Sequence, residues 1–387
     1  MNTVRVKSAL VALFSVAVLI LAGVAAPARA TVSSRPAASG TIKLGFFAQL
    51  SGQYAAAGID MLNAARLAVA SANKAGGVLG RHITLDPQDS GCKGLVAVQA
   101  AQKLVADGVV AVVGPYCSTD AIPASTIYHR AGIALVTPAA TNPRLTGQGF
   151  DDIFRTIGRD DEQGLFAAGV MVRKLHVTRV AIVHDNTVYA KGLAEQTRLA
   201  LQRYPGVKVV FFDAIVSGSH DFSPILTRLR SIKPQVTYFT GYFADGGLLL
   251  KQFEQLGVPG QFMAGDSNND PTFIKLAGAY AERALITGAP IPQLVPSAAG
   301  FVKQYTATYH RGPGAYSAYT YDATNVVLHA IAVARSAAPA AIVHALHMTK
   351  GYPGVTGPIT FNRVGDRVQI QYILITVRSG QFVRAHI

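Results

Sequence analysis

One stretch restricts this chain more than any other: Val109–Leu145, VVAVVGPYCSTDAIPASTIYHRAGIALVTPAATNPRL. Val109–Val113 is a β-branched run of the kind buried on both faces of a parallel sheet. Gly114 and Pro115 end it. Ser118, Thr119 and Asp120 are helix N-cap residue types, and Pro123 falls where a first helical turn tolerates proline. The helix runs to about Arg130, Ala131-Gly132 closes it, and Ile133–Val136 is the next strand, stopped by Pro138. Two strand ends thus deliver two small, hydroxyl-rich loops, Cys117-Ser118-Thr119 and Ala139-Ala140-Thr141, to one edge of a sheet. Ligands of open α/β sheets bind outside the carboxyl ends of strands. A helix N-terminus there offers free N–H groups and suits a small anion such as a carboxylate. The same spacing also fits a capped βαβ unit with no ligand.

The rest of the chain repeats this grammar. Thr41–Phe47 is a strand, with Leu50-Ser51-Gly52-Gln53-Tyr54 as its loop. Gly58–Ala75 carries Ile59, Leu62, Ala65, Leu67 and Val69 at helical spacing and ends at Gly76-Gly77. His82–Asp86 is a strand and Leu95–Ala106 a helix. The order β-α-β-α-β-α-β predicts a parallel, doubly wound sheet with right-handed crossovers. The pattern then restarts. Strands at Val180–Asp185, Val207–Phe212, Val236–Thr240 and Gln261–Ala264 alternate with helices at Tyr189–Arg203, Phe222–Ile232 and Gly246–Gln255. Beyond about Ala289 come helices Ala298–Tyr309, Tyr319–Arg335 and about Ala340–Met348, then strands Ile359–Phe361 and Val368–Val377. Two consecutive α/β units predict two lobes with a cleft between them, where small-molecule sites prefer to lie.

Met1–Ala30 has Arg5 and Lys7, an apolar run from Ala9 to Ala26, and Ala28-Arg29-Ala30. This three-part pattern predicts a secretory signal cleaved after Ala30. No cysteine follows that point to take a lipid, and no later stretch is long and apolar enough to span a bilayer. The formal charge is +14; residues 1–30 hold three of the basic residues and no acid, which leaves +11 for the remainder. Lys and Arg are scattered, so the charge reads as a solvated surface and not as a nucleic-acid face. Cys92 and Cys117 are the two cysteines, and each follows a predicted strand. An exported chain meets an oxidising compartment, which predicts a disulfide between them.

Catalytic signatures are missing. There is no G-x-S-x-G, no G-x-x-x-x-G-K-[ST] and no H-E-x-x-H. His344 and His347 lie i, i+3 on a helix without a third metal ligand nearby. Ser219-His220-Asp221 are chain neighbours, an arrangement that does not form a triad, and read as a polar turn. These absences predict no enzyme, no metal and no cofactor.

With these elements placed, the chain resembles the periplasmic leucine/isoleucine/valine-binding proteins of bacterial ABC importers, the type I periplasmic binding fold. The markers are Asn73-Lys74-Ala75-Gly76-Gly77, Cys92 with Cys117-Ser118-Thr119, Thr137-Pro138-Ala139-Ala140-Thr141, Val180–Asp185 with Tyr189, Gly241-Tyr242, and Gln261-Phe262-Met263 before Asp266. The resemblance implies a cleft in which Ser118 and Thr141 hold a ligand carboxylate. The Ala139 carbonyl and the Thr141 hydroxyl accept from its ammonium, with Ala140 between them in the loop. Asp266 stands where the family has an acid for that ammonium, and Tyr189 and Tyr242 close over the ligand. The family's disulfide falls on Cys92 and Cys117. One lobe is expected over 41–160 with 289–357, the other over 161–288 with 358–387, with hinge crossings near Asp160, Ala289 and Gly357.

The implied function is a monomeric periplasmic solute-binding protein that delivers a neutral, branched-chain or other apolar, amino acid to a membrane permease. The alternative is the same fold serving as a sensor, or binding another small carboxylate or amide. Two departures bear on specificity. The leucine-type proteins place a large aromatic just before the glycine matching Gly58; here it is Ala57, so either Tyr54 substitutes or the side-chain pocket is more open. Asp266 is one methylene shorter than the glutamate of the best-known members.

Overall fold

The computed structural model describes residues 40–387. The expected leader Met1–Ala30, with nearly all of the Ser/Ala/Pro-rich lead-in after it, lies outside the described residues.

The first half builds β1 (Thr41–Ala48), α1 (Ala55–Lys74), β2 (His82–Asp89), α2 (Gly94–Ala106), β3 (Ala111–Val113), α3 (Ser118–Ala131), β4 (Ala134–Thr137) and β5 (Ile153–Arg155). Their sheet has the order β2-β1-β3-β4-β5 and is parallel throughout. After α4 (Asp160–Gly169) the second series follows: β6 (Arg179–His184), α5 (Val188–Leu201), β7 (Lys208–Ala214), α6 (Ser223–Ile232), β8 (Val236–Phe239), α7 (Phe243–Gln255), β9 (Gln261–Ala264), α8 (Pro271–Ala277) and β10 (Leu285–Gly288). The chain then forms α9 (Ala299–Tyr309), α10 (Ser317–Ala334), α11 (Pro339–His347), a hairpin of β11 (Tyr352–Gly354) and β12 (Gly357–Ile359), and finally β13 (Ile373–Arg378) and β14 (Gln381–Arg384). The second sheet has the order β14-β13-β10-β9-β8-β6-β7. It is not wholly parallel, as the repeating pattern implied. β13 and β14 join it antiparallel, because the chain returns to it by a connection and a hairpin, not by helical crossovers.

Both series share one topology, in which the second strand lies outside the first and the third to fifth run the other way. The strand order therefore reverses between β1 and β3 in the first sheet and between β6 and β8 in the second. Such switch points open a crevice at the carboxyl ends of strands. The inner strands are apolar on both faces, while the edge strands β2, β7 and β14 are partly exposed. Leu44, Phe46 and Phe47 of β1, and Tyr238 and Phe239 of β8, are fully buried. Helices α9–α11 follow β10, yet α10 returns to pack on α1 and against β3 and β4.

Several local expectations shift. Cys117, not Ser118, caps α3; Ser118 is the first helical residue, and Gly132 closes the helix with φ +65°. Pro123 consequently sits in the second turn, its ring facing the bare Cα of Gly94 on α2. Of the strand expected at Val368–Val377, only the part from Ile373 pairs. Strands β5, β10, β11 and β14 and helices α4 and α8 are additional to the sequence reading. Cys92 and Cys117 are joined as a disulfide, Cα–Cα 5.6 Å, closing a separation of 25 residues. Two glycines are required by close approach. A Cβ on Gly114 would lie 2.0 Å from the Phe47 carbonyl oxygen, and one on Gly58 1.8 Å from that of Gln49. Among the described residues, no single helix is long and apolar enough to cross a membrane.

Candidate functional site

The two switch points supply the same kind of material. In the first sheet the loops after β1, β3 and β4 carry Tyr54, then Tyr116 with Ser118, then Ala139–Thr141. In the second, the segments after β6, β8 and β9 carry Tyr189, Tyr242 and Asp266. Every one of these side chains is buried or nearly so.

The anion end forms at α3. The N–H groups of Asp120 and Ala121 both return to the Cys117 carbonyl, while those of Ser118 and Thr119 have no hydrogen-bond partner among the described residues. With the helix dipole behind them they make a place for a carboxylate. The disulfide fixes the capping residue itself. Ser118 Oγ accepts from the Asn142 N–H at 3.3 Å, and Asn142 Nδ2 donates to the Val188 carbonyl at 2.9 Å. The first sheet's loops are thereby tied to the start of α5, where Tyr189 sits. The Ala140 N–H donates to Thr137 Oγ1 (3.0 Å), and its carbonyl accepts from Arg155 Nη1 (2.7 Å). Ala140 therefore shapes the loop through both its backbone groups. Thr141 Oγ1 is buried without a partner.

The cation end forms around Asp266. Tyr189 Oη donates to its Oδ1 at 2.7 Å and Tyr316 Oη to its Oδ2 at 2.8 Å. Burial still pushes this carboxyl above the ordinary carboxylate range, against the pull of both phenols. Asp160, first residue of α4, is completely buried with both carboxylate oxygens unpartnered. Its carboxyl is pushed up to about 8, by burial first and by the Asp266 charge in addition. Two desolvated acids near one another want a shared cation.

Between the ends lies a wall of tyrosines. The Tyr242 ring is 4.6 Å from Tyr54, 5.4 Å from Tyr116 and 5.1 Å from Tyr189, and Tyr116 is 5.2 Å from Tyr316. Tyr54 Oη also lies 3.4 Å from Ser217 Oγ, beyond β7. Residues from the two sheets therefore touch, and the cleft is closed. Tyr54 packs on Tyr242 and Phe243, while Ala57 lines a small cavity that Tyr54 does not reach. The hydroxyls of Tyr116 and Tyr242 are buried without partners.

Three residues of this site escaped the sequence reading: Tyr116, Asp160 and Tyr316. Tyr116 had a usable signal, an aromatic immediately past a strand at a switch point. Asp160 lay in an acidic run typical of a solvated helix start, and Tyr316 is brought in by α10 from 50 residues beyond Asp266. The residues set aside stay outside. Ser219 and Asp221 bond to one another in a turn, and His347 Nε2 meets the Asp151 carbonyl at 2.6 Å.

Residues 41–381 match the family model described as periplasmic binding protein. The chain is 35% identical over 357 residues to the Leu/Ile/Val-binding protein BraC3 of Rhizobium johnstonii, covering 92% of this chain and 97% of that protein. It is 33% identical over 347 residues to the leucine-specific-binding protein of Salmonella typhimurium, covering 90% and 92%. Among solved structures it is similar to the branched-chain amino acid transporter substrate binding protein LivJ of Streptococcus pneumoniae in complex with isoleucine. That match has TM-score 0.82 and 29% identity, over 89% of this chain and 98% of that one.

Proposed function

Because the chain belongs to the periplasmic binding protein family, we propose that it is the solute-binding component of an ABC importer, capturing a neutral amino acid of the branched-chain or other apolar class. Exported by its leader, the mature protein works as a monomer in the periplasm and hands its ligand to a membrane permease. It carries out no chemistry on that ligand.

The observation that carries this reading is the pairing of Tyr189 and Tyr316 on Asp266, set across the cleft from the free N–H groups of Ser118 and Thr119. A zwitterion needs an anion cradle and a cation partner a few ångströms apart. In a closed, dry cleft both are charge-assisted hydrogen bonds, the strong kind. The carboxylate rests on Ser118 and Thr141. The ammonium lies among the Ala139 carbonyl, Thr141 Oγ1, Asp266 and Asp160. Tyr54, Tyr189 and Tyr242 cover the ligand.

Binding then selects between two states. The loops of the first sheet hold the ligand while the cleft is open; contacts from Tyr189, Tyr242 and Asp266 exist only when it is closed. That difference in affinity is what shifts the population. The closed form is what the permease reads, and the lobes turn about crossings near Asp160, Ala289 and Gly357.

The test is calorimetric titration of the mature protein, stripped of carried ligand by unfolding and refolding. One-to-one binding of leucine, isoleucine or valine is the expected result. Silence to every amino acid, with binding only to an amide or an aromatic acid, would keep the fold and reject the ligand class.

A further inference from the structure

Against Tyr116 and Tyr316 of the tyrosine wall lies a cavity of about 10 Å³, room for roughly one water-sized group. An aliphatic pocket would be lined by methyl groups. This one is lined by Ala57, Asp60, Tyr116, Asn269 and Asp270, with Gly314 opposite.

Its polar groups are carboxylates, an amide and hydroxyls, and several of their atoms have no partner. Asn269 is 4% exposed and Tyr116 3%, and neither Asn269 Oδ1 nor Tyr116 Oη has a hydrogen-bond partner. Tyr116 lines the cavity together with Asp270, and burial first, then the charges of Asp270 and Asp266, hold its hydroxyl protonated. Asp60 Oδ1 is taken by Tyr305 Oη at 2.9 Å and by Arg311, while no hydrogen bond reaches its Oδ2. That free oxygen faces Gly314: a Cβ there would lie 2.6 Å from it. Asp270 spends Oδ1 on capping α8 through the Thr272 N–H, and its Oδ2 is likewise unbonded. Arg311 faces both acids and is engaged with Asp60.

Beside the Tyr116 hydroxyl and the Asn269 amide, the cavity presents two unbonded carboxylate oxygens, Asp60 Oδ2 and Asp270 Oδ2, with more acceptor capacity than these two neighbours fill. Buried polar groups cost free energy until they are hydrogen-bonded. A water can serve when the ligand side chain stops short at the tyrosines. An N–H or O–H group on the end of that side chain would displace the water and meet the free oxygens directly.

We propose that Asp60, Asn269 and Asp270 form a donor-reading subsite at the side-chain end of the cleft, which extends the ligand range from aliphatic amino acids to those whose side chain ends in an ammonium, amide or hydroxyl. This rests on the cleft being an amino acid site. Ala57 is what opens the subsite, since a large aromatic at that position would occupy it.

Matched pairs of ligands test it, because members of a pair differ in the terminal group and hardly in shape: norleucine against ornithine, and leucine against asparagine. Calorimetry on the mature, ligand-stripped protein should show the donor-bearing member of at least one pair binding as tightly as its aliphatic partner or better. Asp270→Asn, which keeps the helix cap, should then weaken ornithine tenfold or more while changing norleucine less than threefold. Ala57→Phe should block ornithine by filling the cavity. An aliphatic preference above a hundredfold in both pairs, or an ornithine-to-norleucine ratio untouched by both variants, overturns the subsite while leaving the amino acid reading intact. Silence to all four ligands and to valine and isoleucine instead removes that reading, and the subsite with it.

Discussion

Arg155 Nε donates to Asp366 Oδ1 at 2.9 Å, and the guanidinium is completely buried. The same side chain donates Nη1 to the carbonyls of Ala140 (2.7 Å) and Asn142 (3.2 Å) and Nη2 to Thr146 Oγ1 (3.0 Å). Asp366 in turn accepts from Arg159 Nη1 at 2.7 Å. One ion pair thus holds the loop that carries Ala139–Thr141 against the C-terminal crossing of the chain. Removing one partner of a buried pair costs about 3–5 kcal/mol, because the other charge is left without compensation. Asp366→Ala should therefore lower the urea midpoint sharply and weaken ligand binding. The double variant with Arg155→Met should recover part of the stability and not the binding, since the loop carbonyls stay unheld. Equal loss in single and double variants would argue against a charge left stranded.

The acids of the cleft predict how stability varies with pH. The Asp160 carboxyl is raised from near 3.8 to about 8 and Asp60 to about 6, in each case mainly by burial. A raised acid binds its proton more tightly in the folded state. Its contribution is complete below the unfolded value and is lost as pH climbs through the folded one. The ligand-free protein should melt lower at pH 8.5 than at pH 5.5. Asp160→Asn should flatten that slope, although Asp266, Arg155 and Asp161 also act on this group. Asp366 is displaced the other way by its arginines, so its contribution is lost only in acid, below about pH 4. A melting temperature that rises steadily from pH 5.5 to 8.5 would contradict the burial of Asp160.

What the sequence made legible follows from local chemistry. Strands such as Val180–Asp185 announce themselves by β-branched runs, and the loops after them by glycine, proline and hydroxyls, so the two α/β series and the edge carrying Ser118 and Thr141 are readable from local pattern, whereas Tyr189 and Asp266 are singled out only by the family resemblance. The losses are non-local. Arg155 reads as a surface charge until Asp366, 211 residues later, is found beside it. β5 is only three residues long, and its pairing with β4, not its composition, makes it a strand. Asp160 looks like an ordinary acid at a helix start, where a negative charge suits the dipole. Only the packing of α4 under Thr141 shows it to be desolvated. The antiparallel return of β13 and β14 depends on β10 being a free edge, which no window of sequence contains.

The two ends of the cleft should fail differently. Ser118→Ala removes one hydroxyl from the anion end but leaves the helix N–H groups, so binding should weaken by about 1–3 kcal/mol. Asp266→Ala removes the acceptor proposed for the ammonium and also frees the hydroxyls of Tyr189 and Tyr316, so its cost should be at least as large. Dissociation constants measured by calorimetry, with circular dichroism to verify the fold, decide both. An unchanged constant for Ser118→Ala would remove it from the site; a loss for Asp266→Ala no greater than that of a remote surface control would do the same for Asp266.

The disulfide should matter to binding as well as to stability. Closing 25 residues between Cys92 and Cys117 stabilises the fold by about 3 kcal/mol on the chain-entropy account. Cys117 is also the residue that caps α3, so the bond fixes where the free N–H groups of Ser118 and Thr119 point. Reduction, or the paired Cys92→Ser and Cys117→Ser variant, should lower the melting temperature. It should also weaken ligand binding at a temperature where the fold persists, because the anion cradle must then be ordered at the ligand's expense. The informative comparison is the dissociation constant of oxidised and reduced protein well below either transition. A loss in the reduced form assigns the bond to the site, whereas equal constants with a lowered melting temperature would confine it to the unfolded chain.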